Sequence, residues 1–188
     1  MNDYLLFIDS EASGLPKNLD LPYSTPGNWP YIIQISWLIY DRTGIKIKEE
    51  DHYIKENDIT LNPKSTRIHR LRKDFLELNG RPRVEVLHRL AEDLANYEPL
   101  IVGHFLNLDL KLIGAECYRA SIPDVTKGLP HFCTMLDPTQ PFRHLRLAVL
   151  YAGLFHRPQP NPHDALSDAA ATAECYFELR KLGQIHPV

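Results

Sequence analysis

The sequence has few cysteines, no long apolar run and no excess of positive charge, and each shortage excludes a class of protein. Its three cysteines, Cys117, Cys133 and Cys175, form no CxxC pair and are odd in number. They read as free, mostly buried thiols, without support for a disulfide framework, a thiolate zinc site or a nucleophilic cysteine. No stretch approaches the roughly 20 apolar residues that a membrane helix needs, so no membrane partner is expected. The first residues, MNDYLLFIDSEASG, lack both the basic start and the small-residue cleavage site of a secretory signal. A cytoplasmic location is the expectation. The formal net charge of −3 does not announce a nucleic-acid binder. There is no internal repeat, low-complexity tail or linker.

What is present is ordinary in bulk and uneven in distribution. At 188 residues and 44% hydrophobic content the chain fits a single domain, 1–188, able to bury its own core. Between Lys64 and Arg89 there are eight Lys or Arg against three Asp or Glu. That segment is either a solvated helical face or a patch that steers phosphates. Residues 4–8 are an apolar run ending in two acids, which reads as a strand delivering carboxylates. Residues 14–30, rich in Pro, Gly, Asn and Ser, read as a long loop, of the kind that is functional or mobile. YIIQISWLIY reads as a buried strand, DRTG as a turn, and the alternating IKIKEEDHYIK as a half-exposed partner strand. The opening three strands are therefore expected to be antiparallel. Short helices are expected over 65–78 and a clearer one over 84–97, where Leu87, Leu90, Ala91 and Leu94 recur at helical spacing. PLIVGH is a further short strand. Asn107 is placed to cap a helix running to about residue 120. Residues 121–141 read as irregular, and 145–154 and 165–182 as the last helices. The layout is α/β.

Four groups of residues could carry chemistry, and each is weak alone; one of them, TRIHRL around His69 in the basic segment, is more often surface than site. Asp9 and Glu11 are two apart, so on a strand they share a face. Like charges that close resist joint ionisation unless a cation neutralises them. Asp109 lies in the first turn of a helix, where an acid is favourable for the macrodipole alone. His163 and Asp168 are five apart, about 140° around a helix. They converge only if His163 sits in the loop before the helix, which Pro162, with Asp164 or Ser167 as cap, allows. Taken jointly, acids on three separate elements with a histidine beside the last match a centre for hard divalent cations, which prefer carboxylate oxygens.

On these residues the chain resembles the DEDDh branch of the DnaQ-like 3′→5′ exonucleases. FIDSEASGLP is similar to that family's DxETTGL motif, GHFLNLDLKLI to HNxxFD, and HDALSDAAATA to HxAxxDAxxT, in the same order from about residue 4 to 182. IHRL at 68–71 falls where the family has an IHGI element. Ala12-Ser13, Phe105, Leu108 and Arg70 depart from the pattern beside the ligand positions. The DEDDy branch would have Tyr where this chain has Asp164.

The resemblance implies an RNase H-like fold, a mixed five-stranded sheet with three antiparallel N-terminal strands plus parallel strands, flanked by helices. It implies two divalent metal ions, Mg or Mn, with Asp9, Glu11 and Asp168 on one and Asp9 and Asp109 on the other. His163 would act as general base in hydrolysis of terminal phosphodiesters of DNA to nucleoside 5′-monophosphates. Ser10, Ser13, Leu15, His69 and His104 would be substrate contacts. The implied partner is single-stranded nucleic acid or a 3′ end; a polymerase partner or a homodimer is not readable. The alternatives are an exoribonuclease acting on RNA and a non-catalytic nucleic-acid-binding protein on the same fold.

Overall fold

A computed structural model of the protein describes residues 3–135 and 145–185. A five-stranded sheet in the order β3-β2-β1-β4-β5 forms its centre. Strands β1 (Tyr4–Ala12), β2 (Ile32–Asp41) and β3 (Lys46–Tyr53) are antiparallel, as expected, with the DRTG turn joining the last two. Strands β4 (Leu100–Gly103) and β5 (His131–Cys133) add in parallel. The expectation for 121–141 overlooked β5, whose three residues are too few to show a period. Positions 136–141 of that stretch lie outside the described residues.

Period-two alternation divides β1 and β2 between two cores. Leu6 and Ile8 of β1, with Ile35, Trp37 and Ile39 of β2, face α3 (Arg83–Tyr97) and α4 (Leu106–Arg119). Leu5, Phe7 and Leu38 face α5 (Leu147–Phe155) and α6 (Ala165–Lys181). Helix α6 buries Ala165, Ala169, Ala171 and Ala173, and such short side chains bring its axis close to the sheet. Two short helices, α1 (Pro63–His69) and α2 (Lys73–Asn79), fill the basic segment.

Two local details position the site. Pairing of β1 with β4 stops at Phe7↔Val102, whereas pairing with β2 continues to Ala12. The strand thus outruns its parallel neighbour, and Asp9 to Ala12 border an open notch at the point where strand direction changes, a usual place for ligands in such sheets. At Gly103 a Cβ would meet the Leu106 side chain, so the missing side chain lets the chain turn tightly from β4 into α4. That turn does not use Asn107 as the cap. Phe105 occupies the cap position in the left-handed region (φ 64°), without a side-chain hydrogen bond, and the helix begins at Leu106.

Candidate active site

Three elements converge on the notch. Asp9 and Glu11 point from β1 to the α6 face, opposite Ser36 and Gln34 of β2. Asp109 comes from the first turn of α4 and Asp168 from the first turn of α6. Asp164 is the N-cap of α6, accepting from the Ser167 amide at 3.0 Å. It also accepts from Gln34 Nε2, while Gln34 Oε1 accepts from the Ala165 amide at 3.2 Å. One amide side chain on β2 therefore fixes where α6 starts, and with it Asp168.

His163 lies in the loop before α6, where the five-residue spacing required it. A carboxylate oxygen of Glu11, one of Asp168 and a ring nitrogen of His163 all lie within 4.8 Å of one another. The His163 backbone is left-handed (φ 68°), a costly conformation for a residue with a Cβ. The loop is held in it from several sides. The His163 amide donates to Asp168 Oδ2 at 3.2 Å, Ser167 Oγ donates to the Pro160 carbonyl at 2.7 Å, and Gln159 Nε2 donates to Asp168 Oδ1.

The electrostatics are dominated by burial and by repulsion between acids. Burial holds the Asp9 carboxyl well above the usual carboxylate range, and the charges of Asp109, Asp168, Glu11 and Asp164 add to that. Burial, with Asp168, Asp109 and Asp164, pushes Glu11 up to about 8. Asp109 is pushed up to about 7 by burial, against a 2.6 Å hydrogen bond from Ser10 Oγ. Burial raises Asp168 to about 6, opposed by the His163 amide, the charge of the His163 ring and Gln159. Among the described residues, the charges named as acting on Asp9 and Glu11 are all acidic. A set of carboxylate oxygens that repel one another on three rigid elements has the donor chemistry of a Mg²⁺ or Mn²⁺ centre.

The other sequence-derived residues are distributed differently. Ser10 points to the α4 face, and its hydroxyl is committed to Asp109. Ser13 is buried and acts as a staple: it exchanges hydrogen bonds with Tyr31 (2.7 and 2.9 Å), and its carbonyl accepts from the Asn62 amide. His104 has both ring nitrogens occupied. The Leu145 carbonyl can only accept, so Nε2 carries the proton, and Nδ1 faces Thr134 Oγ1 at 2.9 Å. It joins the end of β4 to the segments after β5 and before α5, with no ring nitrogen left for a ligand. Leu15, by contrast, is 78% exposed. His69 is buried and accepts from the Leu71 amide at Nδ1, which puts its proton on Nε2, a buried atom without a partner. Burial and the nearby His163 lower its pKa. Gln34 and Gln159 were not foreseen. A lone glutamine in the apolar run IIQIS was the only signal for the first, and nothing local marks the second.

The basic segment also resolves. Arg72, Lys73, Arg81, Arg83 and Arg89 are ion-paired with neighbouring acids. Lys64, Arg67 and Arg70, on and just after α1, have no acid partner among the described residues. Arg70 is in the left-handed region (φ 62°), at the position where IHGI has a glycine.

A sequence profile of the RNase T family, described as exonuclease, matches residues 6–176. Comparison with curated protein sequences gave no match. Among solved structures, the chain is similar to E. coli exonuclease I in complex with a dA16 oligonucleotide, with a TM-score of 0.77 and 17% identity over 95% of this chain and 41% of that one. The zinc-bound form of the E. coli exonuclease I–ssDNA complex gives 0.75 and 17% over 95% and 41%. Exonuclease I from Methylocaldum szegediense gives 0.70 and 15% over 95% and 40%. The chain spans about two fifths of the length of these structures, and at such identities the likeness is one of fold: the mixed sheet flanked by helices.

Proposed function

From the premise that this chain belongs to the RNase T exonuclease family, DnaQ-like enzymes of the RNase H-like superfamily, we propose that it removes nucleotides one at a time from the 3′ end of single-stranded DNA. Asp9, Glu11, Asp109 and Asp168 hold two divalent ions in this reading, and His163 is the general base. One observation carries it: four buried carboxylates from three elements converge, burial and then their charges raise the pKa of Asp9, Glu11 and Asp109, and a histidine nitrogen lies within 4.8 Å of two of them.

Magnesium or manganese ions, when bound, supply the positive charge that activates a water and neutralises the reacting phosphate. The chain's own residues do the rest. Asp168 is kept in place by Gln159 and the His163 amide, and Asp109 by Ser10. His163 accepts the proton of the attacking water at a ring nitrogen, and among the described residues no hydrogen bond occupies that ring. The water oxygen bonds to phosphorus in line, the P–O3′ bond breaks, and the O3′ of the shortened strand takes a proton. A nucleoside 5′-monophosphate leaves. Leu15 offers an exposed apolar surface to the terminal base. The preference for DNA is supported by the similar exonuclease I structures that hold dA16 and ssDNA.

The test is digestion of matched 3′-labelled DNA and RNA single strands with Mg²⁺, Mn²⁺ or EDTA. Metal-dependent release of 5′-mononucleotides from DNA is expected, and none in EDTA. Release from neither polymer sinks the reading, and preferential release from RNA reassigns the substrate.

A further inference from the structure

The loop of residues 14–30 and the start of α1 enclose a groove of about 610 Å³. It begins at Ser13, Gly14 and Leu15, two residues past Glu11, and runs to Tyr118 and Arg119 at the far end of α4. From Asp109 to Tyr118 is nine residues of one helix, roughly 14 Å, or the rise of about four stacked bases. Three features distinguish this groove from a gap between loops.

The first is charge. The lining residues, 13–15, 23–31, 60–63 and 118–119, contain no Asp or Glu and one Arg. In a chain of net charge −3 this acid-free trough adjoins the most acidic notch of the fold. Lys64 follows immediately on its α1 wall, and Lys111 Nζ lies 6.0 Å from the Tyr23 ring; neither has an acid partner among the described residues. A polyanion meets no lining carboxylate there, and Asp124, the acid that acts on Tyr23 of the wall, stands outside the lining.

The second is the wall chemistry. Tyr118 is 55% exposed at the far end, Leu15 is exposed at the near end, and the half-buried Tyr23 and Tyr31 lie between. Aromatic faces beside cations are the surface on which single-stranded bases stack without regard to sequence.

The third is pre-formed shape. Trp29 Nε1 donates to the Pro22 carbonyl, Asn28 is doubly bonded to Asn18, and Arg119 donates to the Trp29 and Pro30 carbonyls while stacking 4.2 Å from the Tyr31 ring. The one glycine inside α4, Gly114, is where a Cβ would run into the Tyr23 ring, so helix propensity yields to the seating of this loop. A loop fixed before binding loses less freedom when a ligand enters.

We propose that this groove is a second nucleic-acid subsite, taking the bases upstream of the scissile nucleotide in a single strand. It rests on the exonuclease reading for the direction of the strand, and the test separates the two. Binding of fluorescent dT2, dT4 and dT6 to the Asp9→Asn protein is measured by anisotropy in Mg²⁺, alongside wild-type hydrolysis of the p-nitrophenyl ester of thymidine 5′-monophosphate, which fills only the catalytic notch. Affinity is expected to rise from dT2 to dT6. Tyr118→Ala should weaken dT6 about tenfold, leave dT2 and ester hydrolysis unchanged, and keep its melting temperature. Tyr118→Phe, which retains the ring, should bind dT6 as the parent does. Equal affinity for dT2 and dT6, or no loss at dT6 in Tyr118→Ala, overturns the subsite even if the ester is hydrolysed. Length-dependent, Tyr118-dependent binding without hydrolysis by the wild type would keep the subsite and remove the exonuclease.

Discussion

Asp109 and Glu116 lie seven residues apart on α4, on nearly the same stripe of the helix, and both are buried. Glu116 is met by Arg83 and Arg119, and its Oε1 accepts from the Ile32 amide at 2.9 Å. Burial still raises its pKa, but both guanidiniums pull it down. Around Asp109 the neighbouring charge is another acid, Asp168, and the relief found among the described residues is hydrogen bonding. Two turns of one helix thus separate a carboxylate met by two guanidiniums from one whose neighbouring charge is another acid. The first kind ties α3, α4 and the start of β2 together. The second is poorly stabilised by its own surroundings, which is the condition the proposed metal site would exploit.

This contrast can be broken in several ways. The largest effect expected is from Asp9→Asn, which should lower turnover by at least about a thousandfold, the several kcal/mol that bound metal supplies. The same change removes repulsion and should raise the melting temperature of metal-free protein, so activity and stability should move in opposite directions. A variant that still turns over normally in Mg²⁺ would end the assignment. His163→Ala should reduce kcat by roughly 10²–10⁴ with metal affinity retained, as titration calorimetry would show. Glu116→Ala should behave in the other manner, destabilising the fold by about 3–5 kcal/mol in urea denaturation because buried guanidiniums lose their partner. Its dependence on metal concentration should not change. Gln159→Leu should weaken Mg²⁺ binding about 10–100-fold by freeing the Asp168 carboxylate, with less effect on melting.

The smallest effect is in pH. Glu11 rises from 4.5 to about 8 and Asp109 from 3.8 to about 7 on folding. Groups whose folded pKa is raised stabilise the fold while protonated, and that contribution is lost as pH climbs through the folded values. The melting temperature of EDTA-treated protein should therefore fall between about pH 4 and 8. Mg²⁺ should restore it, more at pH 8 than at pH 6. A flat profile without metal would mean that the four acids are not under the strain inferred for them.

Much of this could be read from residue order, and what could not has a physical reason. The antiparallel opening strands, the shared face of Asp9 and Glu11 and the loop position of His163 follow from periods of 2 and 3.6 and from a proline, all local properties. Asp109 and Asp168 became distinguishable from ordinary helix-terminal acids only through motif resemblance. Hydroxyls and imidazoles were harder, because their roles depend on partners far along the chain. Ser10 bonds 99 residues away and Gln34 bonds 130 residues away. Asn107 has the composition of a cap, yet the tight exit from Gly103 places Phe105 there. Charge counting over 64–89 found the basic segment but could not separate the five cations that are already paired from the three that are not.

Ser13 and Tyr31 hold the two ends of the 14–30 loop against each other at 2.7 and 2.9 Å. Mechanically, that makes the loop a closed module hung on a clasp. What happens within it is isolated from the strand that carries Asp9 and Glu11, and lengthening a loop already closed at its base costs little. The carboxylate notch and the proposed reach along a strand can therefore vary independently, one held in geometry by the clasp, the other free to be lengthened, trimmed or recoloured in sequence.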